Sequence, residues 1–243
     1  MNIVSGHQPL YLPWLGFIHK LSLSDTFVFM DDVQLLDRDF NQRNRVIAPD
    51  GKVLWLSVPL ARKESTSLRI CDIRIAQGGQ SNGWQKSHLM TLRSCYGKTK
   101  YFKQYLPFFE WLYEDNQWEY LSILNLTILK QIMEWFSLTA KIIIGSEQGF
   151  TEKKSDLVLE HALRFNGNIL LTGEQGANYV VYSDFEKYGI AVVHQKYNHP
   201  EYDQGRVHGI THLSFVDLLF RYGEEAKEIT FTNNITREDL CKM

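Results

Sequence analysis

Asn2-Ile3-Val4-Ser5-Gly6-His7-Gln8-Pro9-Leu10-Tyr11-Leu12-Pro13-Trp14 opens the chain, and Thr26-Phe27-Val28-Phe29-Met30-Asp31-Asp32 follows closely. Residues 2–5 and 26–30 are short apolar runs rich in β-branched and aromatic side chains, and each reads as a buried strand. Between them, residues 6–12 read as a loop. Pro13 suits the first turn of a helix, where its missing N–H costs little, and residues 14–21 continue that helix to about Ser22-Leu23-Ser24. Strand, loop, helix and strand within about 30 residues have the size of a βαβ unit. The opening therefore predicts a parallel sheet.

Outward from there, residues 36–45 are polar and irregular, and Pro49-Asp50-Gly51 marks a turn. Residues 53–58 read as a strand stopped by Pro59, and the alternation over 70–75 predicts another. The middle is helical. Ser81 can cap a helix reaching about Tyr96, with Gly97 just after it. Two more helices follow over about 102–114 and 118–136, and Pro107 obscures where the first begins. Then come a strand at 141–144, a helix at 154–165 with Thr151 as cap, and a strand at 168–171. A short helix at 178–188, a strand at 190–193 and a helix at 215–221, between Ser214 and Gly223, complete the pattern. The order predicts an α/β fold: a mainly parallel sheet with a helical insertion. We read residues 1–243 as a single domain with a helical subdomain at roughly 81–137.

Of 243 residues, 44% are apolar and 22% charged, which suits a well-buried globular core. The net charge of -2 argues against a generally nucleic-acid-binding surface. Three widely spaced cysteines, Cys71, Cys95 and Cys241, form no CxxC pair, so a disulfide framework or zinc ribbon is not expected. No apolar run reaches the roughly 18 residues of a membrane span, and no signal-peptide pattern opens the chain. A cytoplasmic location is the expectation.

Five polar stretches could carry chemistry. His7 stands beyond the first strand, where open parallel sheets bind ligands, near a helix N-terminus that favours phosphate. His7 and Gln8 satisfying a turn is the bland alternative. Asp31 and Asp32 beyond the second strand could bind Mg²⁺ or ribose hydroxyls, or supply a base; they could equally form a solvated turn. Asn41-Gln42-Arg43-Asn44-Arg45 offers a planar guanidinium fork and amides for an anion, or else an exposed loop. Thr172-Gly173-Glu174-Gln175-Gly176 lets backbone approach a ligand, or simply turns the chain. His194 to Gln204 mixes hydrogen-bonding and aromatic groups suited to a sugar or nucleotide pocket. His208 and His212 are four apart, but Gly209 and Thr211 disfavour a helix there, so no metal ligands are assigned.

The run His7-Gln8-Pro9-x-Tyr11-Leu12-Pro13-Trp14-x-Gly16-Phe17 resembles the opening of WbqC-like proteins. So do Lys20, Ser24-Asp25, Phe27, Asp31-Asp32-Val33-Gln34, Asn41-x-x-Asn44-Arg45 and Trp55-Leu56-x-Val58-Pro59. Trp84, Lys86, His88 and Tyr96 continue the likeness. Gly173, Tyr179, Phe185, Gly189-Ile190, His199-Pro200-x-Tyr202-x-Gln204 and Leu213-Ser214-x-x-Asp217-Leu218-Leu219-x-x-x-Gly223 complete it. Leu10 and Arg221 depart from the residues associated with the family at those places. The resemblance implies an enzyme that attaches an acyl or aminoacyl group, such as glycyl, to an amino-sugar nucleotide in surface-polysaccharide biosynthesis. On that reading His7 handles protons and Asp32 orients it, while Gln8, Asn44 and Arg45 hold a phosphate or oxyanion. His199, Tyr202 and Gln204 line the pocket, and Tyr11, Trp14, Lys20, Gln34, Asn41 and Gly173 complete the substrate-binding set. A fainter likeness to the nucleotide-binding fold of class I synthetases and nucleotidyltransferases keeps a second reading open, an adenylate-forming ligase using ATP and Mg²⁺. The chain lacks that fold's His-x-Gly-His and Lys-Met-Ser-Lys-Ser signatures. A third reading is a non-catalytic sugar-binding module.

Overall fold

A computed structural model describes residues 1–35, 39–61, 68–78 and 83–242. The expected Ser81 cap lies outside the described residues, as do residues 36–38 of the polar stretch.

β1 (Ile3–His7) leads through a loop into α1 (Leu15–Leu23) and back to β2 (Thr26–Phe29). Pro13 precedes the N-cap Trp14 rather than occupying the first helical turn. β3 (Arg43–Ile47) and β4 (Val53–Ser57) form a separate antiparallel hairpin, in register from Arg43↔Ser57 to Ile47↔Val53. The helical insertion follows as α2 (Trp84–Tyr96), α3 (Phe102–Glu110) and α4 (Leu121–Trp135). The chain then alternates β5 (Lys141–Ile144), α5 (Lys154–Arg164), β6 (Ile169–Gly173), α6 (Tyr182–Glu186) and β7 (Ala191–Gln195). It ends with α7 (Phe215–Tyr222), α8 (Glu225–Phe231) and α9 (Arg237–Cys241).

β5, β2, β1, β6 and β7 make one parallel sheet in that order. Counted among themselves, the strands run 3-2-1-4-5, so the winding reverses between β1 and β6. The strand period of two places Ile3 and Leu171 on one face, packed with Leu23 of α1. Leu170 faces the other way, against Val158 and Ala162 of α5 and Phe185 of α6. Helices on both faces make the strands apolar on both sides, which is why they read as continuous apolar runs. The α/β fold, with its parallel sheet and helical insertion, is the one the chain's pattern predicts.

Local departures have physical reasons. Residues 70–75 are not a strand: Ile70–Asp72 is a 3-10 turn, tightened by an Arg69–Asp72 pair at 2.9 Å. β3 was unexpected because its inward side chain at Asn44 is polar, which hides the alternation. The helix expected over 102–114 passes at Trp111 into a π-turn, Trp111–Asp115. Thr151 does not cap α5, whose N-cap is Lys153 without a side-chain bond. Ser214 does cap α7, accepting from the Val216 N–H.

Candidate functional site

β1 pairs with β2 as far as His7↔Phe29, and β6 pairs with β7 as far as Gly173↔Gln195. Between β1 and β6, however, pairing ends at Ser5↔Leu171. The sheet therefore parts at its carboxyl end, between His7 and Gly173. The Ile3 and His7 carbonyls accept from Asp25 and Met30 on the β2 side. By the strand's alternation, the Gly6 carbonyl must face β6, where no strand partner remains. Lys20 fills that vacancy: α1 folds back over the sheet, and Nζ donates to the Gly6 carbonyl at 3.0 Å. Lys20 is 3% exposed and makes no ion pair among the described residues. Burial pushes its ammonium down to about 7.

His7 sits beside this cation with its ring edge against Phe17, centroids 5.2 Å apart. Its Nδ1 lies 2.9 Å from the Gln8 carbonyl. A carbonyl only accepts, so Nδ1 carries the hydrogen and Nε2 presents a lone pair. Burial, and then the Lys20 charge, hold the imidazole down to about 3, so it is neutral at neutral pH. Asp32 is not seen orienting His7, whose ring bonds to the Gln8 carbonyl instead. Burial raises the Asp32 carboxyl, its charged neighbours are Asp31, Arg69 and Glu160, and its Oδ1 has no hydrogen-bond partner. Asp31 accepts from Ser146 at both oxygens, from its backbone N–H at 2.8 Å and from its hydroxyl at 2.9 Å.

The loop carrying Gln8 to Trp14 is held from several sides. Leu12 adopts φ 45°, a left-handed conformation that costs a non-glycine residue about 1–2 kcal/mol. Asn44 holds it there, donating Nδ2 to the Leu12 carbonyl at 2.6 Å. Asn41 donates to the Pro9 carbonyl at 2.7 Å and more weakly to Gln8 Oε1 at 3.4 Å. Tyr11 is fully buried, its hydroxyl shared with His88 Nδ1 at 2.8 Å and with the Tyr113 hydroxyl. Trp14 lies across Gly16, where a Cβ would come within 2.1 Å of the indole. Gln195 bonds both the Gly16 carbonyl and His19 Nδ1, tying the end of β7 to α1.

The predicted site residues thus divide. His7, Gln8, Lys20 and Gly173 gather at the parting of the sheet. Asn41, Asn44 and Tyr11 spend their polar atoms on holding the loop. Arg45 donates to the Thr211 and His212 carbonyls at 2.8 and 3.4 Å, and its guanidinium lies over Trp55. Gln204 closes its own loop through both the N–H and the carbonyl of Ile210. Tyr202 faces the buried Asp217, and His199 stacks on it at 6.1 Å with its Nε2 buried and unpartnered. Gln34 is exposed and bridges to Arg69. Gln195 falls in the polar stretch expected to line a pocket, but it ties β7 to α1 instead. Ser146 was missed by sequence reasoning, and its only signal is that it stands just past the end of an apolar run.

An open parallel sheet of 3-2-1-4-5 order, whose strands part at their carboxyl ends where the winding reverses, defines a doubly wound α/β protein. The chain belongs to the WbqC-like protein family, which it matches over residues 8–229. It is 24% identical over 229 residues to the uncharacterized protein Rv1507c of Mycobacterium tuberculosis, covering 94% of this chain and 97% of that one. No solved structure matches it. All three cysteines are free, and among the described residues no helix is long and apolar enough to cross a membrane.

Proposed function

We propose that this chain is a cytoplasmic transferase of surface-polysaccharide biosynthesis that binds a nucleotide-linked amino sugar between β1 and β6 and acylates or aminoacylates its amine. The observation that carries this reading is the crevice itself, opened by the early end of β1–β6 pairing and furnished with a buried ammonium and a neutral imidazole. Ligands of open α/β sheets sit where the strand order reverses. The desolvated Lys20 charge suits a diphosphate. His7 Nε2 suits the N–H of an attacking amine. As the amine attacks an activated acyl carbonyl, the new N–C bond forms and the carbonyl pair moves to oxygen. The amine proton passes to Nε2, the oxygen returns its pair to re-form the carbonyl, and the donor's leaving group departs with the electron pair of its broken bond.

An imidazole held at about 3 is a weak base. Burial is the larger cause of that depression and the Lys20 charge the smaller; a bound diphosphate offsets only the second, raising His7 part of the way. A ligase forming an acyl-adenylate would use the same crevice for ATP, with Asp32, whose Oδ1 lacks a partner, as the carboxylate left for Mg²⁺.

Thermal melting distinguishes these readings. A UDP-linked amino sugar should raise Tm saturably in the parent protein and in His7→Ala, but not in Lys20→Met. Product formation from an activated acyl donor should disappear in His7→Ala. Normal turnover in that variant removes His7 from the mechanism. A shift with Mg²⁺-ATP alone transfers the assignment to the ligase, and a shift with free sugar alone, equal in all variants, to a binding module.

A further inference from the structure

His7, Phe29 and Ile144 form one row across β1, β2 and β5, on the face covered by α1. Adjacent strands lie about 4.8 Å apart. Beyond Phe29 and Ile144, at the carboxyl ends of β2 and β5, the start of α4 covers the sheet incompletely and leaves a cavity of about 220 Å³. It therefore opens within about 10 Å of the crevice. Its walls are mostly apolar: Phe29, Ile144, Leu126 and the Tyr120 ring.

Two features make this more than a packing gap. First, Ser122 lines the cavity at 4% exposure, and its hydroxyl has no hydrogen-bond partner among the described residues. Thr127 and Thr230, also helical, bond back one turn, to Ile123 and Ala226. Ser122 stands in the first turn of α4 and has no helical carbonyl behind it. The Ser122 side chain is thus nearly buried yet uncommitted, and its hydroxyl is available to a molecule in the cavity. Second, the lining carries Asp31 and Glu147, and no lysine, arginine or histidine among the described residues. Asp32 beside them has an unpartnered Oδ1 and Arg69 as its cationic neighbour, so carboxylates outnumber cations around this end of the sheet. Cys71 also lines the space, but burial pushes its thiol up to about 11, so it acts as wall and not nucleophile.

We propose that this cavity is a binding site for a small primary amine bearing a compact apolar body. The body fills the space between Phe29, Leu126 and Ile144, Ser122 hydrogen-bonds the ligand, and the ammonium lies toward Asp31 and Glu147. An engineered apolar cavity of about 150 Å³ holds benzene, so this one accommodates a ring with a short amine arm. The inference stands apart from the transferase reading, because binding needs no turnover.

Phenethylamine, 2-phenylethanol and phenylacetate are near-isosteric probes of the three charge states. By calorimetry at neutral pH, phenethylamine should bind saturably and at least tenfold more tightly than the alcohol, and phenylacetate should not bind. Ser122→Leu should abolish binding by filling the cavity. Glu147→Gln should reduce the preference for amine over alcohol several-fold. Ser122→Ala, nearly unchanged in volume, should weaken amine binding several-fold and carries the test if the leucine variant fails to fold. Equal affinity for amine and alcohol overturns the proposal. So does the absence of phenethylamine binding, or binding untouched by every Ser122 variant that folds.

Discussion

Lys20 shows how one residue's protonation can shape the whole site. Unfolded, its amine holds a proton up to about 10.5; folded, it releases it near 7. Below about pH 7 both states are protonated, and the full cost of burying the cation is present. Between 7 and 10.5 the unfolded state binds a proton that the native state does not, so this residue's contribution makes stability rise with pH. At about 1.4 kcal/mol per unit, the gain is on the order of a few kcal/mol. The urea midpoint should therefore rise from pH 7 to pH 9 more steeply in the parent than in Lys20→Met, and the variant should be the more stable at pH 7. Equal slopes would show that Lys20 is not desolvated. His7 acts in the acid range: between 6.5 and about 3 the unfolded state holds the extra proton, and stability falls with acid. The place of His7 at a strand end was legible in the sequence. Its neutrality was not, because it depends on burial and on a lysine that only the fold of α1 brings beneath Gly6.

At the scale of elements, the loop between β1 and α1 owes its shape to the hairpin. Asn44 on β3 bonds the carbonyl of Leu12, the residue held in left-handed backbone. Asn44→Ala should leave that carbonyl unsatisfied and cost about 1–3 kcal/mol in chemical denaturation. It should also reduce turnover, since Gln8, which fixes the His7 tautomer, lies in the same loop. Full activity at reduced stability would separate the hairpin from the site. The central strands β2, β1 and β6 were legible because both faces of each are buried, which leaves an apolar run. β3 was not, since its inward Asn44 binds backbone instead of packing apolar surface. The same fact explains why the Asn–Arg cluster reads as an anion site in sequence and holds a loop in space. α8 and α9 are too short for periodicity to announce them.

For the whole molecule, the alternation of strands and helices predicts a parallel sheet but not its order. The crossing from β5 over β2 and β1 to β6 leaves no local trace in the chain, and it is this crossing that creates the crevice. Nor is there an apolar seam between sheet and insertion. One core cluster runs from Tyr11 and Phe17 through Phe27 to Leu92, Phe109, Leu129 and Phe220. Thermal or urea unfolding should accordingly be a single transition, with far-UV circular dichroism and tryptophan fluorescence coincident, since Trp84, Trp118 and Trp135 report on the insertion. Two resolved steps would mark the insertion as a separate unit. The bond from Lys20 to the Gly6 carbonyl carries one more consequence. An amine that is partly free base at neutral pH, yet only 3% exposed, reacts with a small electrophile such as cyanate chiefly when the parted strand ends open wider. The rate at which Lys20 becomes carbamoylated is thus a clock for that opening, and a ligand seated in the crevice should stop it.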